Sequence, residues 1–392
     1  MTGAAEQAAR ATLSEAVAAR ERGDSALAEE RCRAALALQP EDAAAWTFLG
    51  TVLRQRDTDA ARAAFARALE LEPRNVEARF HLANLHREQR YFGEAINNYE
   101  AVLALVPANP AVQNNLGLAL EGAGESERAL AAYRAALASE PGHRQSLRNL
   151  AHLLCRLGRY GDAMAACDDY IGRFADADAM IWVDRGICQH HAGDYKGAQA
   201  SFERALSRAP DDPVILTNLG SLFVDREDYP HAEALLARAL AQDASLLYAS
   251  SLLALCRGHL CAWDGLEALH EEIGKRLGAG SDDAVNAFAA LSIPLSPAMQ
   301  LKVSRRWARD LAAAAASGSR RPFVAPSRGL RVGYVSSDFR THPTASLLAE
   351  VWERHDRTRL AIYAYSIGPR ESSSLRARVE AAFDRFVDCS NA

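Results

Sequence analysis

Apolar residues recur with helical spacing along most of this chain, and short polar turns close each apolar stretch. The turns share a phrase, seen as "ALALQP", "ALELEP", "VLALVP" and "ALASEP", which places Pro40, Pro73, Pro107 and Pro141 at steps of 33 or 34 residues. Pro210 resumes the phase after a junction, "RFADAD", that lacks the proline. Because proline cannot continue a helix, each phrase predicts the end of one helical unit.

Each unit also holds a small residue and a large residue at fixed positions. Gly50 precedes Phe65 in one unit, and Gly186 precedes Phe202 in another. This pattern resembles the tetratricopeptide repeat, in which small residues let two antiparallel helices approach closely. Seven units can be read, and a degenerate eighth follows them. We therefore predict a mainly α chain whose residues 1–261 form a tetratricopeptide α-solenoid superhelix of about seven to eight units.

The first helix of each unit is expected to line the concave surface. From the second unit onward its sixth position holds Phe48, His81, Asn115, Asn149, Asp184 and Asn218. An amide side chain carries two donors and one acceptor, so a row of them can bond an extended peptide without reading its sequence. Each such bond would contribute about 0.5–1.5 kcal/mol. The alternative to peptide binding is that these residues are polar only because they face solvent in the groove.

The repeat phase is lost after residue 261. Helical periodicity persists, interrupted by Pro294 and Pro297, and "SGSRRPFVAPSRG" then reads as a linker. We predict a helical linker region over residues 262–328, with a domain boundary near 318–328.

The pattern changes again after Gly329. The runs "LRVGYVSSD", "LAIYAYSI" and "RFVDCS" are short and apolar, which is typical of buried strands. Between them, "TASLLAEVWERHD" and "SSSLRARVEAAF" have helical spacing. The order β-α-β-α-β over 329–392 predicts a parallel sheet with right-handed crossovers. Ligands of such sheets bind beyond the carboxyl ends of the strands.

His342 lies at that end of the first predicted strand. Pro343 follows it and is favoured as the first residue of a helix, which places His342 at the positive end of the helix dipole. Such a position attracts phosphates, and a histidine there would orient a diphosphate or relay a proton. The alternative is a purely structural histidine. No GxGxxG fingerprint supports nucleotide binding.

The phrase "LRVGYVSSDFRTHPTASLL" resembles the opening of the catalytic region of protein O-GlcNAc transferases and their SPINDLY-type relatives. The repeats, Cys261 with Trp263, and "FVDCS" fit the same family, so the resemblance runs from about residue 7 to 392. Two positions depart from the family pattern. Ser346 stands where many members have a second histidine, and Arg340 stands where animal relatives often have glycine.

The resemblance implies a GT-B glycosyltransferase. Such an enzyme transfers a sugar from a nucleotide donor, here UDP-GlcNAc, to Ser or Thr of a protein held by the repeats, and requires no metal. The family histidine that faces the cleft maps onto His342, which is thereby the expected catalytic residue. Residues 329–392 would begin the N-terminal Rossmann-like lobe. The residues that bind the donor cannot be assigned.

Three interpretations remain at this point. In the first, the chain belongs to a GT-B enzyme; because such an enzyme needs two lobes, we expect the chain as given to be incomplete and inactive alone. A non-enzymatic tetratricopeptide scaffold that binds peptides is the rival interpretation. A third keeps the enzyme and changes the sugar, for example to fucose.

Composition narrows the possible partners. The 392 residues include 45 basic and 50 acidic ones, a net charge of −5 that lacks the basic excess typical of nucleic-acid binding. No signal peptide and no apolar run of membrane-spanning length is present, so we expect a cytoplasmic protein. The seven cysteines form no CxxC pair, which argues against a zinc site. Cys32 and Cys167 occupy the large-residue position of the repeat and are predicted to be packing residues.

Overall fold

A computed structural model describes residues 2–279, 285–315 and 330–389. Contacts divide the chain into two compact units, Met1–Gly318 and Ser319–Ala392. The predicted linker boundary within 318–328 lies outside the described residues.

The first unit is helical throughout its described residues, apart from turns. Its first fourteen helices form seven antiparallel pairs, as the repeat pattern predicts. In chain order the helices are α1 (Thr2–Glu21), α2 (Ser25–Leu38), α3 (Ala43–Leu53), α4 (Thr58–Leu71), α5 (Val76–Glu88), α6 (Phe92–Leu105), α7 (Pro110–Gly122), α8 (Ser126–Ser139), α9 (Arg144–Arg156), α10 (Tyr160–Arg173), α11 (Ala179–His191), α12 (Tyr195–Leu206), α13 (Pro213–Asp225), α14 (Tyr229–Gln242), α15 (Leu247–His259), α16 (Leu266–Gly278) and α17 (Pro297–Ala315).

Local sequence explains where these helices begin and end. Asp42, Asp57 and Asn109 each accept a hydrogen bond from a backbone N–H of the first turn that follows them, which satisfies a donor that the helix leaves free. At the other end, α4 stops at Leu71 and Pro73 follows two residues later. The prediction that each proline closes a helical unit is therefore confirmed.

The small and large residues of the repeat pack against each other within one unit. A Cβ added to Gly50 would lie 2.5 Å from the ring of Phe65, and one added to Gly117 would lie 2.4 Å from the ring of Tyr133. Cys32 occupies the large-residue position of its own repeat and is fully buried, which raises the pKa of its thiol to about 12. It is a packing residue, as predicted.

The helices beyond α14 continue the first unit. Leu247 of α15, Ile273 of α16 and Val303 of α17 belong to one buried apolar cluster. A short 3-10 helix, Ala289–Leu291, contributes Ala290 to the same cluster. Helix α16 thus packs against α15 through this cluster, less extensively than the two helices of a repeat pack against each other. Among the described residues, no helix combines the length and apolarity needed to cross a membrane.

The second unit is the predicted β-α-β-α-β segment. Strands β1 (Leu330–Ser336), β2 (Leu360–Ser366) and β3 (Arg385–Asp388) pair in parallel in that order, and Ser336 is opposite Ser366. Helices α18 (Pro343–Glu353) and α19 (Ser374–Ala381) connect them. The prediction of a mainly α chain, with a repeat solenoid followed by a parallel α/β segment, is confirmed for the described residues.

One face of this sheet is covered by the two helices. Ile362 and Ala364 are fully buried there, in a cluster with Trp352 and Phe383. Val335, at the end of β1, is 64% exposed. The fold therefore brings the three carboxyl ends of the strands to one edge, where the loop with His342 begins.

Candidate functional site

The predicted row of polar residues lies on the first helices of successive repeats, and three of its members, Asn115, Asn149 and Asp184, bond to side chains of neighbouring repeats. Asn115 on α7 donates from Nδ2 to Asn84 Oδ1 on α5 at 3.0 Å. The hydroxyl of the buried Tyr99 donates to the same oxygen at 2.6 Å. Asn84 is therefore already doubly bonded, and Asn115 retains one amide hydrogen of its own.

The same arrangement recurs one repeat further on. Asn149 on α9 donates from Nδ2 to Asn114 Oδ1 at 3.0 Å, and Ser146 Oγ donates to that oxygen at 3.2 Å. Asn114 in turn donates to Asn115 Oδ1 at 3.3 Å. The amides thus form one chain, in which Asn149 and Asn115 donate to the preceding repeat and Asn114 donates within its own helix. Asn149 keeps its Oδ1 and one amide hydrogen for a ligand.

Asp184 departs from this arrangement. It is only 3% exposed, and its carboxylate faces His152 Nδ1 on α9 at 3.1 Å. This hydrogen bond is the main reason that the pKa of His152 is raised, although burial acts in the opposite direction. The accessible member of the pair is His152, whose side chain is 46% exposed. A groove ligand at this repeat would therefore meet the imidazole first.

Asn218 stands apart from the amide chain. Its Nδ2 donates to the carbonyl of Val214 in its own helix at 2.9 Å. It lines a cavity of about 290 Å³ together with Tyr248 and neighbouring residues of the α14–α15 turn. Asn115, Asn149 and Asn218 are all partly exposed, so each retains accessible polar atoms. Their contact with a peptide stays a prediction.

In the second unit, His342 is the N-cap of α18. Its Nδ1 accepts from the backbone N–H of Thr344 at 3.2 Å, and Pro343 is the first residue of the helix. A neutral histidine that accepts through Nδ1 carries its proton on Nε2. Nε2 makes no hydrogen bond within the described residues, and the side chain is 34% exposed. The cap thus leaves an N–H donor available at the positive end of a helix.

Asp338 offers Nδ1 an alternative partner. Its Oδ2 lies 3.6 Å from His342 Nδ1, and its Oδ1 lies 4.0 Å from Arg340 Nη2. A neutral imidazole with its proton on Nδ1 would lose the cap to the Thr344 N–H, and Nδ1–H would face Thr344 Oγ1, 3.1 Å away, and the Asp338 carboxylate instead. The tautomer of His342 therefore depends on how the loop holds these two neighbours.

The loop after β2 is hydrogen-bonded to the loop after β1, which carries His342. Glu371 accepts from the backbone N–H of Thr341 at 2.8 Å and from the Thr341 hydroxyl. These bonds hold the pKa of the Glu371 carboxyl below its ordinary value. A Cβ added to Gly368 would lie 1.9 Å from the carbonyl oxygen of Ser337, so a residue with a side chain cannot occupy that position without backbone movement.

Sequence reasoning missed several residues that the structure brings to these sites. The doublet "NN" at 114–115 was a signal, because both amides belong to the chain of hydrogen bonds. For Glu371 no sequence signal exists, since 30 residues separate it from Thr341. Within the described residues, no group of three or more His, Cys, Asp or Glu side chains is arranged to hold a metal ion.

Two kinds of family model match this chain. Tetratricopeptide repeat models match residues 13–55, 51–110, 82–143, 114–179 and 150–213, and another matches 190–256. The model described as "Glycosyl transferase family 41" matches residues 311–392, the region that contains His342.

Individual relatives agree with both matches. A probable UDP-N-acetylglucosamine–peptide N-acetylglucosaminyltransferase SEC of Arabidopsis thaliana is 26% identical over 145 residues, which are 33% of this chain and 15% of that protein. The UDP-N-acetylglucosamine–peptide N-acetylglucosaminyltransferase of Caenorhabditis elegans is 38% identical over 61 residues, or 16% of this chain and 5% of that protein. The aligned part of this chain thus spans less than a sixth of either relative.

Solved structures support the repeat fold. A tetratricopeptide repeat protein from Parabacteroides merdae superimposes with a TM-score of 0.50 at 19% identity, covering 64% of this chain and 99% of that one. At this identity the likeness shows the fold alone. The repeat matches cover more than half of the sequence, and the resemblance noted from the sequence is confirmed. The chain therefore belongs to the tetratricopeptide repeat family and carries, over residues 311–392, a region of glycosyl transferase family 41.

Proposed function

We propose that this protein is a protein O-glycosyltransferase whose repeats bind the acceptor polypeptide. In the reaction a Ser or Thr hydroxyl oxygen forms a bond to the anomeric carbon of the sugar. The bond from that carbon to the nucleotide diphosphate breaks, the diphosphate leaves with the electron pair, and the hydroxyl proton is released to water. The observation that carries the proposal is the family 41 region, with His342 at the start of a helix beyond the first strand.

His342 would contact the donor through Nε2–H. The diphosphate gains negative charge as it leaves, and a donor at a helix N-terminus stabilises charge that develops there. Because Nδ1 is occupied by the helix cap, the neutral side chain acts as a hydrogen-bond donor in this arrangement. We propose that this contact and the helix dipole stabilise the leaving group without a metal ion.

The donor we propose is UDP-N-acetylglucosamine, since both named relatives carry that sugar nucleotide in their names. Fucose carried on a nucleotide remains the alternative sugar. A transfer assay with both sugar nucleotides decides between them.

The acceptor we propose is an extended segment of protein. Asn115 and Asn149 each retain one amide hydrogen after bonding their neighbours, and Asn149 also retains its carbonyl oxygen. Such atoms match the alternating N–H and C=O groups of an extended backbone. Amide side chains fixed by neighbouring repeats lose less conformational entropy on binding than free ones.

A transfer assay tests the proposal. The protein, expressed from its complete reading frame, is incubated with a peptide pool and either radiolabelled UDP-N-acetylglucosamine or radiolabelled GDP-fucose. We expect label on Ser or Thr from the first donor only, located by mass spectrometry. Label from GDP-fucose alone would show that the protein is a glycosyltransferase whose donor sugar is fucose. Peptide binding without transfer from either donor would favour the scaffold and contradict the proposal.

A further inference from the structure

Arg376 joins the carboxyl ends of all three strands. Only 5% of its surface is exposed. Its Nη1 donates to the carbonyl oxygen of Phe339 at 2.5 Å and to Ser366 Oγ at 3.1 Å, and its Nη2 lies 3.6 Å from Asp388 Oδ2. Phe339 belongs to the loop after β1, Ser366 ends β2 and Asp388 ends β3. One guanidinium group therefore links the loop that carries His342 to the other two strands.

The remaining atoms of this guanidinium are also held. Nε donates to Glu380 Oε1 at 2.6 Å, and Cζ lies 4.4 Å from the ring centroid of Phe386. A planar guanidinium can make several fixed hydrogen bonds and stack on a ring at the same time. A lysine ammonium at the same place is a point charge and cannot reproduce this set of contacts.

These contacts fix the loop at its base. The Phe339 ring is 1% exposed and packs against Trp352, Phe383 and Phe386, while its carbonyl oxygen is held by Arg376. Two residues later, Glu371 holds the backbone N–H of Thr341. His342 follows directly, so both of its upstream anchors come from the segment between β2 and the end of α19.

We propose that Arg376 is a positioning residue for His342, which keeps Nδ1 of the imidazole on the Thr344 N–H and Nε2–H available for the donor. The proposal rests on the proposed function, in which His342 contacts the nucleotide sugar. Arg376 itself touches neither substrate nor reacting atom. Its effect passes through the backbone from Phe339 to His342.

The test measures the tautomer of His342 directly. Histidine is labelled with ¹⁵N in the whole 392-residue chain, and the His342 signals are assigned by their loss in His342→Gln. In the parent we expect the Nε2–H tautomer to dominate. Arg376→Lys should change the ratio of the two neutral tautomers about tenfold toward Nδ1–H, since the loss of one well-placed hydrogen bond has an effect of that size.

The matched control is Arg378→Lys. Arg378 lies on the same helix and makes a two-point pair with Glu353, but within the part of the chain that the structure describes it makes no hydrogen bond or ion pair with the His342 loop. It should leave the tautomer ratio unchanged. A changed ratio in both lysine variants, or in neither, would overturn the proposal.

A second variant serves if Arg376→Lys fails to fold. Glu371→Gln keeps the shape of the side chain and weakens the bonds to Thr341, so the ratio should move in the same direction by a smaller amount. An unchanged ratio in Glu371→Gln, with the lysine variant unfolded, would likewise overturn the proposal.

Transfer assays then separate this inference from the proposed function. If His342→Gln abolishes transfer while Arg376→Lys changes neither tautomer nor rate, positioning by Arg376 is wrong and the proposed function stands. If Arg376→Lys shifts the tautomer but His342→Gln transfers sugar normally, Arg376 positions His342 and the proposed role of His342 is wrong.

Discussion

The repeat unit and the sheet unit hold their candidate residues in different ways. In the repeats, polar side chains bond to polar side chains of the next repeat, as Asn149 bonds to Asn114 and His152 bonds to Asp184. In the sheet unit, side chains from α19 and from the loop after β2 bond to the backbone of the loop after β1, as Arg376 bonds to the carbonyl of Phe339 and Glu371 bonds to the N–H of Thr341. The predicted row is thus held by similar contacts from one repeat to another, whereas the His342 loop depends on a few specific contacts.

This difference has a mechanical consequence. Nearest-neighbour stacking makes the stability of a repeat array approximately a sum of local terms, so one altered contact affects little beyond its own repeat. The loop after β1 has no such redundancy. Loss of one anchor changes the position of a single residue that we propose to contact the donor.

The largest effect we expect separates two glycines that both lack room for a Cβ. At Gly368 the Cβ of alanine would meet a backbone carbonyl, and at Gly117 it would meet the buried ring of Tyr133, a side chain rather than backbone. Gly368→Ala should cost about 3 kcal/mol of local stability and Gly117→Ala about 1–2 kcal/mol, within the range found for overpacking. Hydrogen exchange with mass spectrometry can follow the regions around Gly368 and Gly117 in each variant.

Gly172 provides the control. It lies in α10, and a Cβ there would meet no atom within 4 Å. Gly172→Ala should stabilise its helix by up to about 1 kcal/mol, because alanine is the better helix former. Equal exchange rates around β1 in Gly368→Ala and in the parent would contradict the close contact between Gly368 and the carbonyl of Ser337.

The second effect concerns catalysis. His342→Gln should reduce the transfer rate about a hundredfold, the usual cost of losing one donor to a developing negative charge. The matched control is His355→Gln in the same unit, where Nε2 is bonded to the Tyr334 hydroxyl at 2.6 Å. That variant should lose some stability and keep its rate. Equal rates for both variants would contradict a special role for His342.

The third effect concerns the groove. Replacing Asn115, Asn149 and Asn218 together with alanine should weaken binding of an acceptor peptide about tenfold to a hundredfold, from three bonds of modest strength. Calorimetry measures this. Asn98→Ala is the control, since Asn98 also donates to a carbonyl in its own helix but lies on the second helix of its repeat. Unchanged affinity in the triple variant would leave these amides as solvated surface.

The smallest effect is a pH dependence. The hydrogen bond that His152 Nδ1 donates to the Asp184 carboxylate raises the pKa of His152 in the folded chain above that of the unfolded chain. The pair therefore stabilises the fold fully below the unfolded pKa, and this contribution is lost as pH rises through the folded pKa. Arg156 and Glu121 face the same histidine and act in opposite directions.

His152→Gln should remove this pH-dependent part of the stability. The readout is the difference in free energy of unfolding between parent and variant, measured from pH 5 to 8. The control is the same substitution at His86. Burial lowers the pKa of His86, so its contribution to the free energy of unfolding should change with pH in the opposite direction. A difference that does not change with pH would show that the His152–Asp184 pair carries no charge of its own.

Much of this fold could be predicted because its information is local or periodic. The proline spacing predicted the helix pairs, and short apolar runs predicted the three strands. The groove row followed from counting positions. The hydrogen-bond partners of that row could not be predicted from the sequence. His152 and Asp184 are 32 residues apart, and only the stacking of repeats shows which side chains meet. Arg376 gave no signal either, since in the sequence it is one of several charged residues on a short helix.

The measurement that tests the account most directly compares two acceptors in the transfer assay. One is a long protein segment able to lie along several repeats, and the other is a short peptide around the same Ser or Thr. With the Asn115, Asn149 and Asn218 triple variant, we predict that kcat/KM falls about tenfold or more for the long acceptor and stays unchanged for the short one. An equal loss for both acceptors, or no loss for either, would contradict the claim that the repeat groove holds the substrate for transfer.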